Sequence, residues 1–229
     1  MCGRYSLICI DDLGNRFRLF NPMLGARSKF NIAPGTRQPV IVQGGGGREL
    51  VQMQWGLIPH WTKEIKAAHP IINARAESLA EKPSFAPLLK KKRCLVPASG
   101  FFEWKNEGSG KHPFYLHLPD QPLFAFAGLY DEWYDPAGSV LATYTIITTE
   151  PNALLTPIHN RMPVILSQDH EEQWLAGSQP DAAQLKEMLA PYPAEKMAMH
   201  PVSPLVNTPS ADGERVIRPV VSLNWPYTQ

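Results

Sequence analysis

Cys2 is the residue of this chain that could take part in the largest number of reactions. It follows Met1, and because cysteine is small we expect the initiator methionine to be removed. An amino-terminal cysteine carries an amine and a thiol on adjacent carbon atoms. The α-amine has a pKa of about 7.7 to 8.0, so about a tenth of it is neutral at pH 7, against about 0.04% of a lysine amine. We therefore expect Cys2 to be a good nucleophile at neutral pH.

Two chemistries are open to such a residue. Toward an aldehyde, the amine forms a Schiff base and the thiol closes onto the same carbon, giving a five-membered thiazolidine with the large effective molarity of an intramolecular reaction. Toward an amide, the thiolate can attack with its own amine as the general base. Gly3 allows close backbone approach, and Arg4 offers a planar guanidinium for phosphate or carboxylate. Aldehyde capture, amide cleavage and a chance Met-Cys start all remain open at this point.

Glu103 is a lone carboxylate within the aromatic segment 100–104. Apolar surroundings raise a carboxyl pKa toward neutrality, which makes a usable general acid or base. Strand alternation places Phe101 and Glu103 on one face and Phe102 and Trp104 on the other. This pattern predicts that Glu103 lines a pocket wall; a charged residue at a strand edge is the alternative.

Three further residues could serve the same chemistry. His159 lies in a loop before a strand, a position typical of proton shuttles. Asn73 and Arg75 are two apart in an extended segment and would point the same way, so the amide can orient an amine while the guanidinium holds a phosphate. A turn asparagine with a surface arginine explains the pair equally well.

Two segments could contact nucleic acid. Trp61, in a Pro-His-Trp loop, would form a stacking plate for an unpaired base, or else belong to the core. Residues 90–93 are all basic and end a predicted short helix that has Phe85, Leu88 and Leu89 on its apolar face. Because positive side chains suit a helix carboxyl end, this run is either a solvated helix end or a phosphate-facing patch.

Composition limits the class of protein. The 229 residues include 22 basic and 21 acidic side chains, a formal charge of +1, which excludes a general polyanion-coating protein. The three cysteines form no CxxC pair, and no histidine joins them at zinc-ligand spacing, so neither a disulfide scaffold nor a metal site is expected. With no signal segment and no run of 18 apolar residues, we expect a cytoplasmic protein without membrane contact.

The remaining pattern predicts many short strands. Apolar and aromatic runs broken by Gly, Pro, Asn or Asp occur at residues 40–42, 50–55, 94–97, 101–105, 113–118, 123–130, 143–148 and 164–166. Short helices are expected after Asp12 (with Leu13, Phe17 and Phe20 on one face), from Ser78, after Ser167 and after Pro180. A series of this kind predicts an antiparallel sheet that curls or closes. No linker divides the chain, so we expect one domain over residues 1–229.

Seven motifs occur in an order that resembles one family. They are Met-Cys-Gly-Arg, Asn-Ile-Ala-Pro-Gly-Thr, Trp-Gly-Leu-Ile-Pro, Ile-Asn-Ala-Arg-Ala-Glu, Gly-Phe-Phe-Glu-Trp, Ile-His-Asn-Arg-Met-Pro and His-Pro-Val-Ser. The chain resembles the SOS-response-associated peptidase family, whose members shield abasic sites in single-stranded DNA. The resemblance runs from Cys2 to about residue 207 and leaves a tail at about 208–229.

The resemblance implies a single α+β domain with a curled, barrel-like, mainly antiparallel sheet and short flanking helices. It also implies that Cys2 forms a thiazolidine with the ring-opened sugar aldehyde of an abasic site. Asn73 would orient Cys2, while Glu103 and His159 would handle the protons. The residues expected near DNA are Arg4, Arg75 and Arg161 at phosphates, and Pro34 and Trp61 in loops that wedge or stack against bases.

The expected partner is single-stranded DNA with abasic sites, including junctions with duplex, bound by a monomer. No cofactor is expected, and DNA binding would associate the protein with the nucleoid. The family also carries an inferred peptidase activity, which self-removal of Met1 would satisfy. Two alternatives stay open: an amidohydrolase, which would turn over repeatedly, and a non-covalent binder of DNA junctions, whose salt-sensitive binding would survive loss of Cys2.

Overall fold

Two β-sheets with short helices at their edges make up the fold. The computed structural model describes residues 2–20, 27–65, 69–108, 110–177 and 180–220. The strands in these ranges are β1 (Arg4–Leu7), β2 (Lys29–Ile32), β3 (Arg37–Gly44), β4 (Gly47–Trp55), β5 (Asn73–Arg75), β6 (Arg93–Ala98), β7 (Gly100–Glu107), β8 (Gly110–His117), β9 (Phe124–Tyr134), β10 (Val140–Thr149), β11 (Met162–Pro163), β12 (Ile165–Leu166) and β13 (Ala198–Pro201). The α-helices are α1 (Leu13–Phe17), α2 (Ala86–Lys91), α3 (Gln168–Leu175) and α4 (Ala182–Met188).

Five strands close into a barrel. The order β10-β4-β3-β6-β9 returns to β10, because β10 pairs with both β4 and β9. The β10–β4 pairing is parallel and the other four are antiparallel. Closure leaves no open edge in this ring of strands. The predicted α+β fold with a curled, mainly antiparallel sheet is confirmed.

The second sheet, in the order β13-β8-β7-β1-β2, is antiparallel throughout and packs one face on the barrel. Tyr5 of β1 contacts the rings of Trp55 and Phe126, and Phe101 of β7 contacts Phe126. Phe102 points the other way, into a separate apolar cluster. The alternation predicted for β7 is therefore confirmed, and it directs the Glu103 side of the strand toward the barrel.

The carboxyl-terminal part of the described chain covers the outer face of this sheet. Val202, Val206 and Val216 pack there against Phe102 and Tyr115. The segment expected to begin a tail at about residue 208 thus contributes a buried valine within a 3-10 helix at Glu214–Val216. This packing ties residues 202–216 to β7 and β8.

The predicted helices after Ser167 and Pro180 are present and capped. The Ser167 hydroxyl accepts the N–H of His170, and Asp181 forms a capping box with Gln184. No helix in the described part of the chain is long and apolar enough to cross a membrane.

Three local expectations were wrong. Phe20 is 69% exposed, because α1 ends at Phe17 and Arg18 turns the chain away with a φ of 52°. Ser78 ends a 3-10 helix, Ala76–Ser78, and does not start an α-helix. Arg93 is the first residue of β6 and is buried, so it does not belong to a solvated helix end. In the last case strand pairing with Leu129 overrides the charge pattern.

Candidate active site at the amino terminus

Cys2 is fully buried immediately before β1. Its carbonyl oxygen accepts a hydrogen bond from Asn73 Nδ2 at 2.9 Å, and its thiol lies 3.8 Å from the carbonyl oxygen of Arg4. Asn73 is held by the parallel pairing of β5 with β10, in register with Ile146. The barrel therefore fixes the amide that orients the backbone of Cys2.

The second polar atom of Asn73 has no hydrogen-bond partner among the described residues. Its Oδ1 is buried and accepts no hydrogen bond from any residue that the structure describes. A buried acceptor without a donor costs about 1 to 3 kcal/mol. A cost of this kind is typical of a position that is completed by another group during function.

Glu103 supplies an acidic group beside Cys2. It follows Phe102, which pairs with Arg4 on β1, and its side chain is buried. Burial raises the pKa of the Glu103 carboxyl to about 7. Burial, and then the charge of Glu103, raise the pKa of the Cys2 thiol. At neutral pH the thiol is therefore protonated, beside a carboxyl poised between its two states.

A buried tyrosine pair next to this group was missed in the sequence. The hydroxyls of Tyr5 and Tyr144 lie 2.8 Å apart, and burial raises the pKa of both. Their charges would interact with that of Cys2. Because 139 positions separate the two tyrosines, no local pattern signals the contact.

His159 lies at the same end of β10 as Asn73. Thr148 of β10 pairs with Pro163 of β11 on one side and with Arg75 of β5 on the other, and His159 precedes β11 closely. The Nδ1 of His159 lies 3.0 Å from the backbone nitrogen and 3.1 Å from the carbonyl oxygen of Arg161, and burial lowers the pKa of the ring. The ring is therefore mainly neutral at pH 7.

The three predicted phosphate-binding arginines differ in their surroundings. Arg161 donates to both oxygens of Glu77 at 2.6 and 2.9 Å and to the carbonyl of Thr148 at 2.5 Å. Arg4 donates to Asn31 Oδ1 at 2.9 Å and to the carbonyl oxygens of residues 206 and 207. Arg75 is exposed at the end of β5. Phosphate contact stays a prediction for all three, and Arg75 is the most accessible of them.

The two loops expected to contact bases are both at the surface. Pro34 is exposed between β2 and β3, and Trp61 is 48% exposed after β4. The Trp61 indole packs edge-on against the ring of His60, with centroids 4.8 Å apart. The core interpretation of Trp61 is thus wrong, and base stacking stays a prediction.

The basic run 90–93 divides into three environments. Lys90 and Lys91 are exposed at the end of α2, whereas Lys92 binds Asp131 and Glu132. Arg93 donates to the carbonyl oxygens at the ends of α2 and α3, including that of Leu89 at 2.7 Å. Within the described ranges, no three side chains of the metal-binding types come together.

Comparison with known proteins relates the chain to one group. The family model described as SOS response associated peptidase (SRAP) matches residues 1–209. A Bacillus subtilis protein named abasic site processing protein YoqW is 43% identical over 221 residues, which cover 95% of this chain and 99% of that protein. The chicken (Gallus gallus) abasic site processing protein HMCES is 33% identical over 226 residues, covering 85% of this chain and 67% of that protein.

One solved structure is similar along nearly the whole length. The crystal structure of a protein from Bacteroides thetaiotaomicron superposes with a TM-score of 0.87 at 31% identity, covering 96% of this chain and 100% of that one. The ordered motifs, the barrel that carries Asn73 and the match over residues 1–209 agree. This chain belongs to the SOS response associated peptidase family.

Proposed function

We propose that this protein traps abasic sites in single-stranded DNA by forming a covalent thiazolidine with Cys2 after Met1 is removed. The observation that carries the proposal is the buried Cys2 backbone, held by Asn73 at 2.9 Å beside the carboxyl of Glu103. The names of the relatives in Bacillus subtilis and chicken, abasic site processing proteins, support the same substrate class.

Asn73 orients the nucleophile. Removal of Met1 leaves the α-amine on Cys2, whose carbonyl is already bound to Asn73 Nδ2. The buried Oδ1 of Asn73 is an acceptor without a donor among the described residues, and an amine N–H can fill it. An amine held this way keeps its lone pair directed at one position, which lowers the entropic part of the barrier.

Glu103 can supply one proton and then recover one proton during a single trapping event. The neutral amine adds to the aldehyde carbon, and one amine proton moves to the carbonyl oxygen to give a carbinolamine. The protonated carboxyl of Glu103 then gives its proton to the hydroxyl of this carbinolamine, which leaves as water. The resulting carboxylate takes the proton of the Cys2 thiol while the sulfur adds to the iminium carbon. A carboxyl with a pKa of about 7 suits both steps, because it neither holds nor releases its proton strongly at neutral pH.

The balance of this reaction is simple. One aldehyde and one aminothiol give one thiazolidine and one water, so no oxidant, reductant or cofactor takes part. A Schiff base alone would promote strand cleavage beside the abasic site. Closure of the ring by sulfur diverts that intermediate and spares the strand.

The remaining predicted site residues act on the DNA itself, by proton exchange with the sugar or by contact with phosphates and bases. His159, neutral at pH 7, can exchange a proton with the sugar hydroxyl during ring opening. Exposed Arg75 can bind a backbone phosphate, while Pro34 and Trp61 contact bases at a junction with duplex. With a net charge of +1, DNA contact relies on this local surface, and we propose a cytoplasmic monomer that joins the nucleoid when bound.

A second candidate is peptide-bond hydrolysis by the same residue, which the family description favours. Removal of Met1 by the protein itself would be the minimal form of this activity. Such hydrolysis is a single event, whereas a general amidohydrolase would release product repeatedly.

The test is the intact mass of the purified protein before and after incubation with a single-stranded oligonucleotide that carries one abasic site. We expect the starting mass to lack Met1, and a heat-stable adduct to form that maps to Cys2. Cys2→Ala should abolish the adduct. Cys94→Ala, which removes another fully buried thiol, is the matched control and should crosslink at the normal rate.

An adduct that forms normally with Cys2→Ala would refute the proposal. Mature protein that gives no adduct would leave the amidohydrolase and the non-covalent binder. Repeated release of product from peptide substrates would then favour the first, and salt-sensitive binding that survives Cys2→Ala would favour the second.

A further inference from the structure

The segment 58–62, which carries Trp61, is fastened to the barrel at three points. The backbone N–H of Ile58 donates to Thr143 Oγ1 at 2.9 Å, and the indole N–H of Trp133 donates to the carbonyl of Thr62 at 2.7 Å. Between them, the N–H of His60 donates to Asp131 at 2.8 Å. The three anchors stand on β9 and β10, where residues 131 and 143 pair directly.

Asp131 is the centre of this arrangement. It is fully buried, and its Oδ2 accepts both the backbone N–H and, at 2.9 Å, the ring Nδ1 of His60. Its Oδ1 accepts Lys92 Nζ and the N–H of Glu132, each at 2.9 Å. Burial opposes ionisation, but the hydrogen bonds from Lys92 and His60 prevail and lower the pKa of Asp131. Asp131 is therefore an ionised carboxylate whose two oxygens are both hydrogen-bonded, and it lies beneath the segment 58–62.

Trp61 is held in place without being covered. Its indole rests edge-on against the His60 ring, at an interplanar angle of 83°, while 48% of the residue is exposed. Tryptophan is enriched among the residues that contribute most to binding at interfaces. A fixed platform loses little conformational entropy when a base stacks on it.

We infer that Asp131 is a positioning residue for Trp61: through His60 it fixes the indole as a preorganised platform for an unpaired base. The inference rests on the single-stranded DNA function proposed above. Asp131 itself touches neither DNA nor the reacting atoms. Its effect passes through His60, because Asp131 binds both the backbone N–H and the ring of that residue. Lys92 binds the same carboxylate.

The test is a double-mutant cycle on DNA affinity. The probe is a single-stranded oligonucleotide with one tetrahydrofuran residue, which mimics an abasic site but has no aldehyde, and binding is followed by fluorescence anisotropy. Base stacking on an aromatic side chain is worth about 1 to 3 kcal/mol, so Trp61→Ala should weaken binding about tenfold. Asp131→Asn replaces a carboxylate oxygen that accepts hydrogen bonds with an NH₂ group that donates them. This change should weaken DNA binding about three- to tenfold in the native background. In the Trp61→Ala background it should change affinity less than about twofold.

Two further variants separate positioning from general damage. His60→Ala removes a largely exposed side chain and should reproduce the Asp131→Asn loss with little change in melting temperature. Glu132→Gln alters the other carboxylate bound to Lys92, which is not the one that binds His60, and should leave affinity unchanged.

Equal losses from Asp131→Asn in both backgrounds would overturn the inference, as would unchanged binding by Trp61→Ala. Crosslinking to a true abasic site is measured separately. If crosslinking fails but the double-mutant cycle gives the expected affinities, the covalent chemistry is rejected and the positioning role of Asp131 stands.

Discussion

Cys2 and Cys94 are both fully buried, and burial raises the pKa of both thiols. Their neighbours differ. Beside Cys2 lie the amide of Asn73 and the carboxyl of Glu103. Cys94 sits within β6, where its backbone accepts the indole N–H of Trp174 and its thiol packs over Gly128.

The comparison shows that burial alone does not make a reactive thiol. A buried thiol with no base stays protonated and behaves as a small apolar group. Cys2 differs because a neighbouring carboxyl with a pKa of about 7 is available to take its proton as the sulfur adds, and because a free α-amine would share the same residue. Substitution of these neighbours can test whether they, and not the thiol itself, account for the expected difference in reactivity between Cys2 and Cys94.

Glu103→Gln should have the largest effect. General acid–base groups contribute about 10²- to 10⁴-fold, so the initial crosslinking rate should fall by that order. In the proposed mechanism the carboxyl of Glu103 must begin protonated, so the native rate should pass through a maximum as pH rises beyond about 7. The rate of the variant should only rise as the amine loses its proton. Quenched-flow or gel time courses from pH 5 to 9 measure both.

Glu107→Gln is the matched control for that experiment, since Glu107 ends the same strand and pairs with Lys105 away from Cys2. It should keep the native rate and profile. An identical pH profile for Glu103→Gln and the native protein would remove Glu103 from the chemistry.

Glu103 should also make stability depend on pH. Its pKa is about 7 when folded, against about 4.3 in an unfolded chain, so the folded state resists ionisation. The native protein should therefore lose about 3 kcal/mol as pH rises from 4.5 to 7 through this group. Relative to it, Glu103→Gln should be more stable at pH 7.5 and nearly equal at pH 4.5 in urea titrations. An equal gain at both pH values would contradict the assignment.

Gly128→Ala tests the packing role of Cys94. A Cβ at residue 128 would lie 2.9 Å from the Cys94 sulfur and 3.1 Å from the backbone oxygen of Thr145. Overpacking of this kind costs about 1 to 3 kcal/mol, measured as the free energy of unfolding. Combining it with Cys94→Ala should recover part of that loss, while crosslinking per folded molecule stays native in both variants. A selective loss of crosslinking would give Cys94 an unexpected chemical role.

Asn73→Ala should have the smallest effect of the four. Loss of one hydrogen bond to the Cys2 carbonyl costs about 1 kcal/mol, so crosslinking should slow about fivefold with a modest fall in melting temperature. Asn106→Ala, at an exposed position of β7, controls for removal of an amide. Native crosslinking by Asn73→Ala would show that the backbone of Cys2 needs no such anchor.

Local patterns were sufficient for most elements of the fold. The runs around Val40, Leu95, Phe114 and Tyr144 are strands, and Ser167 caps a helix, because strand alternation and capping depend on neighbours in sequence. Barrel closure through the parallel β10–β4 pair was not predictable in detail, because residues 54 and 143 are far apart in the chain. The burial of Arg93 was not predicted for the same reason, because its strand partner Leu129 is far away in the chain.

The sequence by itself determined the chemical groups: an aminothiol at Cys2 once Met1 is lost, a carboxyl among aromatic residues at Glu103, and an exposed-loop candidate at Trp61. Only the tertiary structure decided their states. It paired Arg161 with Glu77, placed Asn73 against Cys2, and set Asp131 beneath the Trp61 loop. Charge interactions and desolvation depend on distances of a few ångströms between residues 70 or more positions apart, and the closed barrel is what fixes those distances.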